Sequence, residues 1–248
     1  MKTIPLSEGA FTIDASKKLI PFNPLMDDFK ERTKGSLLVE IQPFAIITSK
    51  DIIVIDTGLG LTQPDGTLQI HKNLLDIGIG SSEVSKVLLS HLHKDHAGGI
   101  GKEDRSLKQK FISFPNAKYY VNREEFDFAM SIGRSSYATA GFDILDKSDN
   151  VIFTKGDGVI DGYIRYAVSG AHCPFHQVFW IEDNGQKLFY GGDVAPQLQQ
   201  MKSRFIAKYD YDGKKCMELR QQWWKQGKEE KWTFLFYHDI KTPVYQNS

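Results

Sequence analysis

Residues 90–99 read SHLHKDHAGG, a segment that holds three of the seven histidines of this 248-residue chain. The four residues before it, KVLL at 86–89, are of the β-branched and aliphatic kind that forms a buried strand. Because side chains two positions apart in an extended chain point the same way, we expect His91 and His93 to project together. Two neutral imidazoles held on one side form half of a tetrahedral zinc site.

The second half of this segment carries two more candidate ligands. Asp95 and His96 lie where the chain is expected to turn, since Gly98 and Gly99 admit backbone conformations that other residues avoid. They are therefore candidates for a second ion beside the first. The alternative interpretation is a solvated loop with coincidental histidines, because short motifs also occur by chance. The density of histidines favours the metal site.

Composition limits the classes of function. The chain is 41% apolar and 25% charged, which is typical of a globular protein. Thirty-one basic residues balance thirty-one acidic ones, so we expect a small-molecule substrate and neither nucleic acid nor a membrane as a partner; a homodimer stays open. No apolar run has transmembrane length. Two cysteines, Cys173 and Cys216, make no disulfide framework, so the expected location is cytoplasmic.

Strand-like and helical patterns alternate along the chain. Short β-branched and aromatic runs predict strands at 36–47, 51–55, 86–89, 118–121, 151–154, 163–168, 177–182, 187–190 and 232–237. Apolar spacing and capping residues predict helices at 67–79, at 122–130 with Asn122 as the cap, and at 213–226 between Asp212 and a stop at Gly227. The first two strands are expected to pair as a hairpin, and Asp183-Asn184-Gly185 predicts another.

This order, strands followed by a helix, occurs twice. We therefore expect a single domain over 1–248 with two similar halves, at about 36–150 and 151–240. The segment 131–150 mixes small and aromatic residues without periodicity, and it is interpreted as a loop or short helices over the site, or else as a solvated connector.

Three more candidate ligands follow strand-like runs in the second half of the chain. His172, Asp193 and His238 each come just after such a run, and loops at one edge of a sheet can meet in space. With the first segment they form a set of seven nitrogen or oxygen donors without a thiolate: His91, His93, Asp95, His96, His172, Asp193 and His238. A closed structural zinc needs only four ligands, so this set suits two ions with open positions for water.

These residues, together with Asp56 in Ile-Asp-Thr-Gly, resemble the five ordered motifs of the metallo-β-lactamase superfamily. The resemblance runs from about residue 36 to 240, and the 91–96 cluster is its most specific part. It implies an α/β fold, the four-layer αβ/βα sandwich, with a dinuclear centre that holds two Zn²⁺ or other divalent transition-metal ions. It also implies the division of ligands: His91, His93 and His172 for one metal, Asp95, His96 and His238 for the other, and Asp193 between them.

The remaining motif residues are given supporting roles. Asp56 is expected to orient a ligand histidine or the loop backbone, the alternative being an aspartate that closes a turn. His176 is expected to be structural or to support a ligand, since the superfamily's usual second histidine at this place is not itself a ligand. Cys173, which replaces the usual threonine, is interpreted as a small buried apolar residue. His71 is expected on the surface of its helix.

Within the superfamily, the layout is similar to the lactonase and organophosphate-hydrolase branch. The resemblance implies a metal-bridging hydroxide that attacks a lactone or a carboxylic ester, with Asp95 also exchanging a proton. Lactonases of this branch commonly carry a tyrosine three residues after the bridging aspartate, where this chain has Pro196. We expect the walls of the substrate groove at 101–114 and 131–150, with Phe126, Phe128 and Phe142 either lining a pocket or packing in the core.

Two alternatives stay open. The same centre could hydrolyse a neutral phosphotriester or a thioester, because the ions alone do not choose the electrophile. A metal-binding protein without catalysis is the third hypothesis, against which stands the completeness of the donor set.

Overall fold

The computed structural model describes residues 1–14, 16, 18–104, 109–133 and 136–246, and of residues 102–104 and 109 only the backbone. The strands, in chain order, are β1 Lys2–Pro5, β2 Gly9–Ile13, β3 Leu19–Phe22, β4 Leu37–Ile41, β5 Phe44–Ile47, β6 Ile52–Ile55, β7 Lys86–Leu88, β8 Gly101–Asp104, β9 Gln109–Ile112, β10 Lys118–Asn122, β11 Val151–Thr154, β12 Gly158–Ile160, β13 Ile164–Val168, β14 Gln177–Asp183, β15 Gln186–Tyr190, β16 Thr233–Leu235 and β17 Val244–Gln246. The α-helices are α1 Gln69–Asp76, α2 Lys94–Ala97, α3 Arg123–Ile132, α4 Thr139–Phe142, α5 Leu198–Met201 and α6 Gly213–Glu229, and 3₁₀ turns occur at Ser81–Glu83, Asp143–Lys147 and Gly192–Val194.

Two six-stranded sheets form the centre of the molecule. One has the order β1-β5-β6-β7-β10-β11, and the other β12-β13-β14-β15-β16-β17. In the first sheet β6, β7, β10 and β11 are mutually parallel. In the second sheet only β15 and β16 pair in parallel. A three-stranded sheet, β3-β2-β4, and the β8-β9 hairpin complete the described strands.

Three apolar clusters hold the layers together. Alternate residues of each sheet, such as Phe44 in β5 and Phe179 in β14, meet in the cluster between the two sheets. The opposite face of the first sheet packs on α1 and α3. The opposite face of the second packs on α6, where Trp180 of β14 meets Trp223. The predicted αβ/βα sandwich is therefore confirmed, because each sheet buries one face against the other sheet and one against helices.

A strand–helix–strand unit occurs once in each sheet. Strand β6 is followed by α1 and then by the parallel strand β7, and β15 is followed by α6 and then by the parallel strand β16. Because parallel neighbours end at the same edge of a sheet, the loops after β6 and β7 lie side by side, as do those after β15 and β16. This topology brings Asp56, the 90–97 segment, Asp193 and His238 to one edge of the sandwich.

Several local predictions are confirmed. Strands β5 and β6 form a hairpin, and β14 and β15 form another whose two-residue turn has Asn184 and Gly185 at positive φ. The Asn122 side chain accepts a hydrogen bond from Glu125 N and caps α3, and Asp212 caps α6 in the same way through Lys215 N. The 131–150 segment contains the short helix α4 and a 3₁₀ turn.

Other predictions are wrong. The strand expected at 36–47 is divided at Gln42-Pro43 into β4 and β5, which belong to different sheets; Pro43 lacks the N–H that a continuous ladder requires. Helix α6 runs past Gly227, which lies inside it. A Cβ there would come 2.2 Å from the Phe234 ring, so this glycine permits close packing and does not stop the helix. His71 is buried against Phe114, not on the surface.

The described helices include none with both the length and the apolar character needed to cross a membrane.

Glu8, in the turn between β1 and β2, ties the N-terminal strands to the loop after β6. Its Oε2 accepts a hydrogen bond from Leu59 N at 2.5 Å. Gly58 has φ +73°, and a Cβ at this glycine would come 2.3 Å from the same oxygen. Oε1 is buried without a hydrogen-bond partner among the described residues. Burial raises the pKa of Glu8 to about 7, although the Leu59 hydrogen bond lowers it.

Glu8→Gln is therefore expected to change how stability depends on pH. The folded state keeps the Glu8 proton up to about pH 7, whereas the unfolded chain loses it near pH 4.5, so the wild type loses stability as pH rises through this window. The glutamine variant has no such proton to lose, and its free energy of unfolding relative to the wild type should increase by about 2–3 kcal/mol between pH 5 and pH 8.

Urea unfolding at constant zinc concentration measures this difference, with the exposed Glu31→Gln as the matched control. A parallel pH dependence of the wild type and Glu8→Gln would contradict the prediction.

Candidate metal centre

The 90–97 segment turns directly from strand β7 into the short helix α2. His91 follows the strand, and His93 is still extended, with φ −62° and ψ 149°, at the residue before the helix. The helical turn then presents Asp95 and His96. Gly98 and Gly99 are needed for a different reason than predicted, since neither has a positive φ. A Cβ at either one would lie 2.2 Å from a carbonyl oxygen of the 57–59 loop, so the two loops touch through bare backbone.

Three imidazoles converge on one side of Asp193. His93 Nδ1 is 3.0 Å from His91 Nε2 and 3.1 Å from His172 Nε2. Asp193 Oδ2 is 3.2 Å from His172 Nε2 and 3.9 Å from His91 Nε2. These four residues form one group whose donor atoms all lie within 4.8 Å of one another.

A second group lies on the other side of the same carboxylate. Asp95, His96 and His238 also have donor atoms within 4.8 Å of one another. Asp193 Oδ1 is 3.1 Å from His96 Nε2 and 3.1 Å from His238 Nε2. Asp95 Oδ2 is 3.9 Å and 3.7 Å from the same two nitrogens. The structure thus brings together all seven residues selected from the sequence, with one oxygen of Asp193 turned to each group.

Two atoms in this cluster lack hydrogen-bond partners among the described residues. They are His96 Nε2 and Asp193 Oδ1, both buried, and they lie 3.1 Å apart without the geometry of a hydrogen bond. Buried polar atoms are normally satisfied, so an unsatisfied pair needs a cause. A divalent cation bound by imidazole nitrogens and carboxylate oxygens would satisfy both atoms. The residues present therefore fit a bound metal.

Hydrogen bonds on the far side fix the orientation of the histidines. His96 Nδ1 lies 2.8 Å from Asp56 Oδ2, and His172 Nδ1 lies 2.8 Å from Asp210 Oδ1. His238 Nδ1 donates to Glu40 O at 2.7 Å, and His91 Nδ1 lies 3.0 Å from Ser90 Oγ. With Nδ1 held outside, each of these four rings directs Nε2 into the site, an arrangement common to metal-ligating histidines.

Asp56 connects three loops beneath the site. Its φ is +55°, and its carboxylate accepts hydrogen bonds from Ser90 N and Ser90 Oγ, both at 2.7 Å, and from the Tyr190 hydroxyl at 2.5 Å. Together with its contact to His96, Asp56 thus fixes the end of β7, the end of β15 and one imidazole relative to one another. Asp56 was predicted to orient a ligand histidine or the loop backbone, and it contacts both His96 and the Ser90 N–H.

Charge and burial set the protonation states. Burial lowers the pKa of His91 well below its usual value and that of His93 to about 3, so both rings are neutral. Burial alone would raise the pKa of Asp193, but the facing imidazoles of His96, His238 and His172 hold it well below its usual range. The same attraction outweighs burial and raises the pKa of those three imidazoles. A cation would replace their protons beside the carboxylate.

His176 and Cys173 belong to neither group. His176 Nδ1 lies 3.0 Å from Ser169 Oγ, and its Nε2 accepts the Asp193 backbone N–H at 3.2 Å. Both ring nitrogens are thus engaged, and the contact positions the backbone of Asp193. The Cys173 thiol donates to Glu125 Oε2 at 3.4 Å, so the buried thiol has a polar partner that the sequence did not indicate.

Other residues around the site were not identified from the sequence. Asp210 lies in KYDYD at 208–212, where an aspartate two residues before a helix cap was the available signal. Tyr137 places its ring 4.8 Å from that of His93, and its hydroxyl donates to Glu125 Oε1 at 3.2 Å. Glu125 in turn accepts a hydrogen bond from Leu92 N. The buried side chain of Glu125 therefore holds the backbone of the histidine segment.

The groove walls predicted at 101–114 and 131–150 stay a prediction, since the cavity described beside the site includes no residue of either range. Residues 105–108, 134 and 135 lie outside the described residues. Phe126 and Phe142 are core residues, and Phe128 packs against the same core. The cavity that the structure places beside the site has a volume of about 210 Å³. It is lined by Arg32, Ser36, Leu37, Leu38, Val39, Pro196, Gln197, Gln200, Tyr209 and His238. The N-terminal segment that forms one of its walls was not anticipated.

Sequence comparisons identify a protein family and several relatives. A sequence model of the metallo-β-lactamase superfamily matches residues 40–233. The chain is 30% identical over 112 residues to the N-acyl homoserine lactonase AttM of Azorhizobium caulinodans, covering 42% of the chain and 38% of that protein. It is 28% identical over 195 residues to AttM of Rhizobium johnstonii, covering 66% and 68%. The first of these matches thus spans well under half of the relative's length.

Solved structures share the fold over nearly the whole chain. A probable metal-dependent hydrolase from Staphylococcus aureus superposes with a TM-score of 0.81 at 20% identity, covering 100% of this chain and 92% of that one. AidC, a dizinc quorum-quenching lactonase, superposes with a TM-score of 0.68 at 19% identity, covering 96% and 87%. At these identities the likeness shows the shared fold.

Asp210→Ala is expected to weaken zinc binding by about 10–100-fold, because it removes the carboxylate that holds the His172 ring. Asp212→Ala is the matched control: it removes the cap of α6 and should lower stability with little effect on zinc affinity. Competition with a chromophoric chelator measures both affinities. Equal loss of affinity in the two variants would show that disruption of the 208–212 segment, and not the hydrogen bond, is responsible.

Proposed function

The chain belongs to the metallo-β-lactamase superfamily, and from this premise we propose that it is a metal-dependent hydrolase that opens a small lactone or cleaves a carboxylic ester. The observation that carries the proposal is the position of Asp193, whose two oxygens face two separate groups of ligands. A carboxylate with one oxygen toward each group suits two metal ions. With a single ion, one of the two oxygens would have no metal to bind.

The proposed division of ligands follows the two groups. His91, His93 and His172 would hold one ion, Asp95, His96 and His238 the other, and Asp193 would bridge them, with zinc as the favoured metal because imidazole and carboxylate donors suit it. A pair of such ions supplies a hydroxide at neutral pH and polarises a substrate oxygen. The fixed Nδ1 contacts of the histidines keep the site rigid during the reaction.

Asp95 is the proposed proton carrier. Its side chain is 19% exposed, against 12% for Asp193, so it is the more accessible of the two carboxylates. The Tyr237 hydroxyl donates a hydrogen bond to the Asp95 backbone oxygen at 2.5 Å and so fixes the position of this residue. Asp95 would accept a proton from the attacking water and return it to the leaving oxygen.

The surroundings favour a neutral carboxylic substrate. The cavity beside His238 includes Leu38, Val39 and Pro196 among its walls, which suits an apolar acyl group. The relatives that match in sequence are named as N-acyl homoserine lactonases. With a net charge of zero, the chain gives no support to a nucleic-acid substrate. Pro196 provides no hydrogen-bond donor, and for this reason a neutral phosphotriester is the second candidate, ahead of a thioester.

A cytoplasmic location also belongs to the proposal. Cys173 and Cys216 are both free and buried, which agrees with a reducing compartment.

The metal prediction is two equivalents per chain after gentle purification with zinc, measured by elemental analysis. Asp193→Ala should lower the content of both ions because it removes the shared ligand. His176→Ala is the control: it should keep the metal content near that of the wild type, with lower stability, since both of its ring nitrogens bond to protein atoms. A wild-type content that stays at one equivalent, or loss of metal from His176→Ala alone, would contradict the assignment.

The substrate prediction compares kcat/KM for an acyl lactone, an aryl ester and an aryl phosphotriester. The carboxylic substrates should be hydrolysed faster, and Asp95→Asn should lower their turnover strongly because the proton carrier is lost. Phosphotriester turnover more than about tenfold above both carboxylic substrates, equivalent to about 1.4 kcal/mol in the barrier, would make the second candidate the function.

A further inference from the structure

The cavity beside His238 contains one phenol. Its described lining includes Leu38, Val39, Pro196, Gln200, Tyr209 and His238. Because His238 belongs to the ligand group that faces Asp193 Oδ1, a substrate whose reacting oxygen lies at the metal centre would extend into this space. The donors available along the walls therefore decide which substrate groups the cavity can hold.

Several polar groups of the cavity are already engaged with the protein. Gln197 Nε2 bonds to Leu38 O at 3.1 Å and to His238 O at 3.0 Å. Arg32 bonds to the backbone oxygens of Phe29 and Ser36 at 3.2 and 3.5 Å. Pro196 has no N–H to offer. These contacts hold the walls in place. The Ser36 hydroxyl, also in the lining, has no hydrogen-bond partner among the described residues, but it is buried.

Tyr209 differs from these groups because the residue is 50% exposed and its segment contacts a proposed metal ligand, His172. Gln200 interacts with its hydroxyl, and a phenolic oxygen can accept one hydrogen bond while it donates another. Burial of the hydroxyl end raises the pKa of Tyr209, and the charge of Asp193 raises it further. A tyrosine hydroxyl is protonated at neutral pH, so it can donate a hydrogen bond to a substrate.

The segment that carries Tyr209 is fixed to the metal centre at three points. Asp210 holds His172 Nδ1 at 2.8 Å. Tyr211 N donates to His172 O at 3.0 Å, and Asp212 N donates to Ala171 O at 2.8 Å. The Tyr209 ring lies with its centroid 6.3 Å from that of His172. A side chain on so constrained a segment has a defined position relative to the reacting atoms, as a group that orients a substrate requires.

We propose that the Tyr209 hydroxyl donates a hydrogen bond to the carbonyl oxygen of the lactone or ester and thereby holds this oxygen at the metal centre. This inference rests on the proposed function, since it requires a carboxylic substrate in the cavity. Tyr209 would act together with the metal centre by holding one oxygen of the group under attack, a role that no residue of the sequence analysis was given.

The experiment compares Tyr209→Phe with Tyr211→Phe in the zinc-loaded full chain. Tyr211 is the matched control because it lies two residues away on the same segment and is 70% exposed. Each protein is assayed with an acyl ester and with the corresponding thionoester, whose C=S group accepts hydrogen bonds weakly. Metal content and melting temperature are measured on the same samples.

Tyr209→Phe should lower kcat/KM for the ester by about tenfold, as loss of one hydrogen bond predicts. It should change the thionoester rate less than about twofold, with metal content and melting temperature near those of the wild type. Tyr211→Phe should match the wild type with both substrates. The substitution by phenylalanine keeps the ring, so packing against His172 is retained.

Two results overturn the inference alone: an ester rate for Tyr209→Phe within twofold of the wild type, or an equal loss with ester and thionoester, which would indicate a structural role. A wild type that hydrolyses phosphotriesters but neither carboxylic substrate overturns the proposed function together with this inference. The two failures are therefore distinguishable.

Discussion

The largely buried carboxylate of Asp193 is the constraint on which the rest of the site depends. A charge removed from water is costly unless opposite charge or strong hydrogen bonds surround it. Here the carboxylate is faced by His91 and His172 on one side and by His96 and His238 on the other, while His176 holds its backbone N–H. His91 and His96 come from the first half of the chain and the other three histidines from the same half as Asp193, so the two halves must meet for the charge to be fully compensated.

The fold meets this requirement through its strand ends. Loops after β6 and β7 belong to one sheet, and loops after β13, β15 and β16 to the other. Asp56 joins them, because it bonds to Ser90 at the end of β7 and to Tyr190 at the end of β15. The apolar cluster between the sheets then fixes their separation. The rigidity that a metal site needs is a property of the whole sandwich, and is lost if either sheet moves.

The sequence predicted those parts of the site that depend on local order. The spacing of His91, His93 and His96 is local, and the resemblance to known motifs extended it correctly to residues that meet at the same edge. The division of 36–47 at Pro43 depends on which sheet each strand joins, and the packing of Gly227 depends on the aromatic ring opposite it. Both are set by tertiary structure and not by the local sequence. Asp210 was missed for the same reason: its role exists only because its segment folds back onto His172.

The substrate is harder to predict from local sequence patterns than the metal ligands are. The metal centre offers the same chemistry to any electrophile whose oxygen can reach it, so discrimination must come from the walls of the cavity. Those walls combine the N-terminal segment around Leu38 with Pro196, Gln197, Gln200 and Tyr209, three stretches that no periodicity connects. Pro196 and Tyr209 illustrate the consequence. A hydroxyl absent from one wall can be supplied from another, because a substrate responds to the position of a donor in space and not to its place in the sequence.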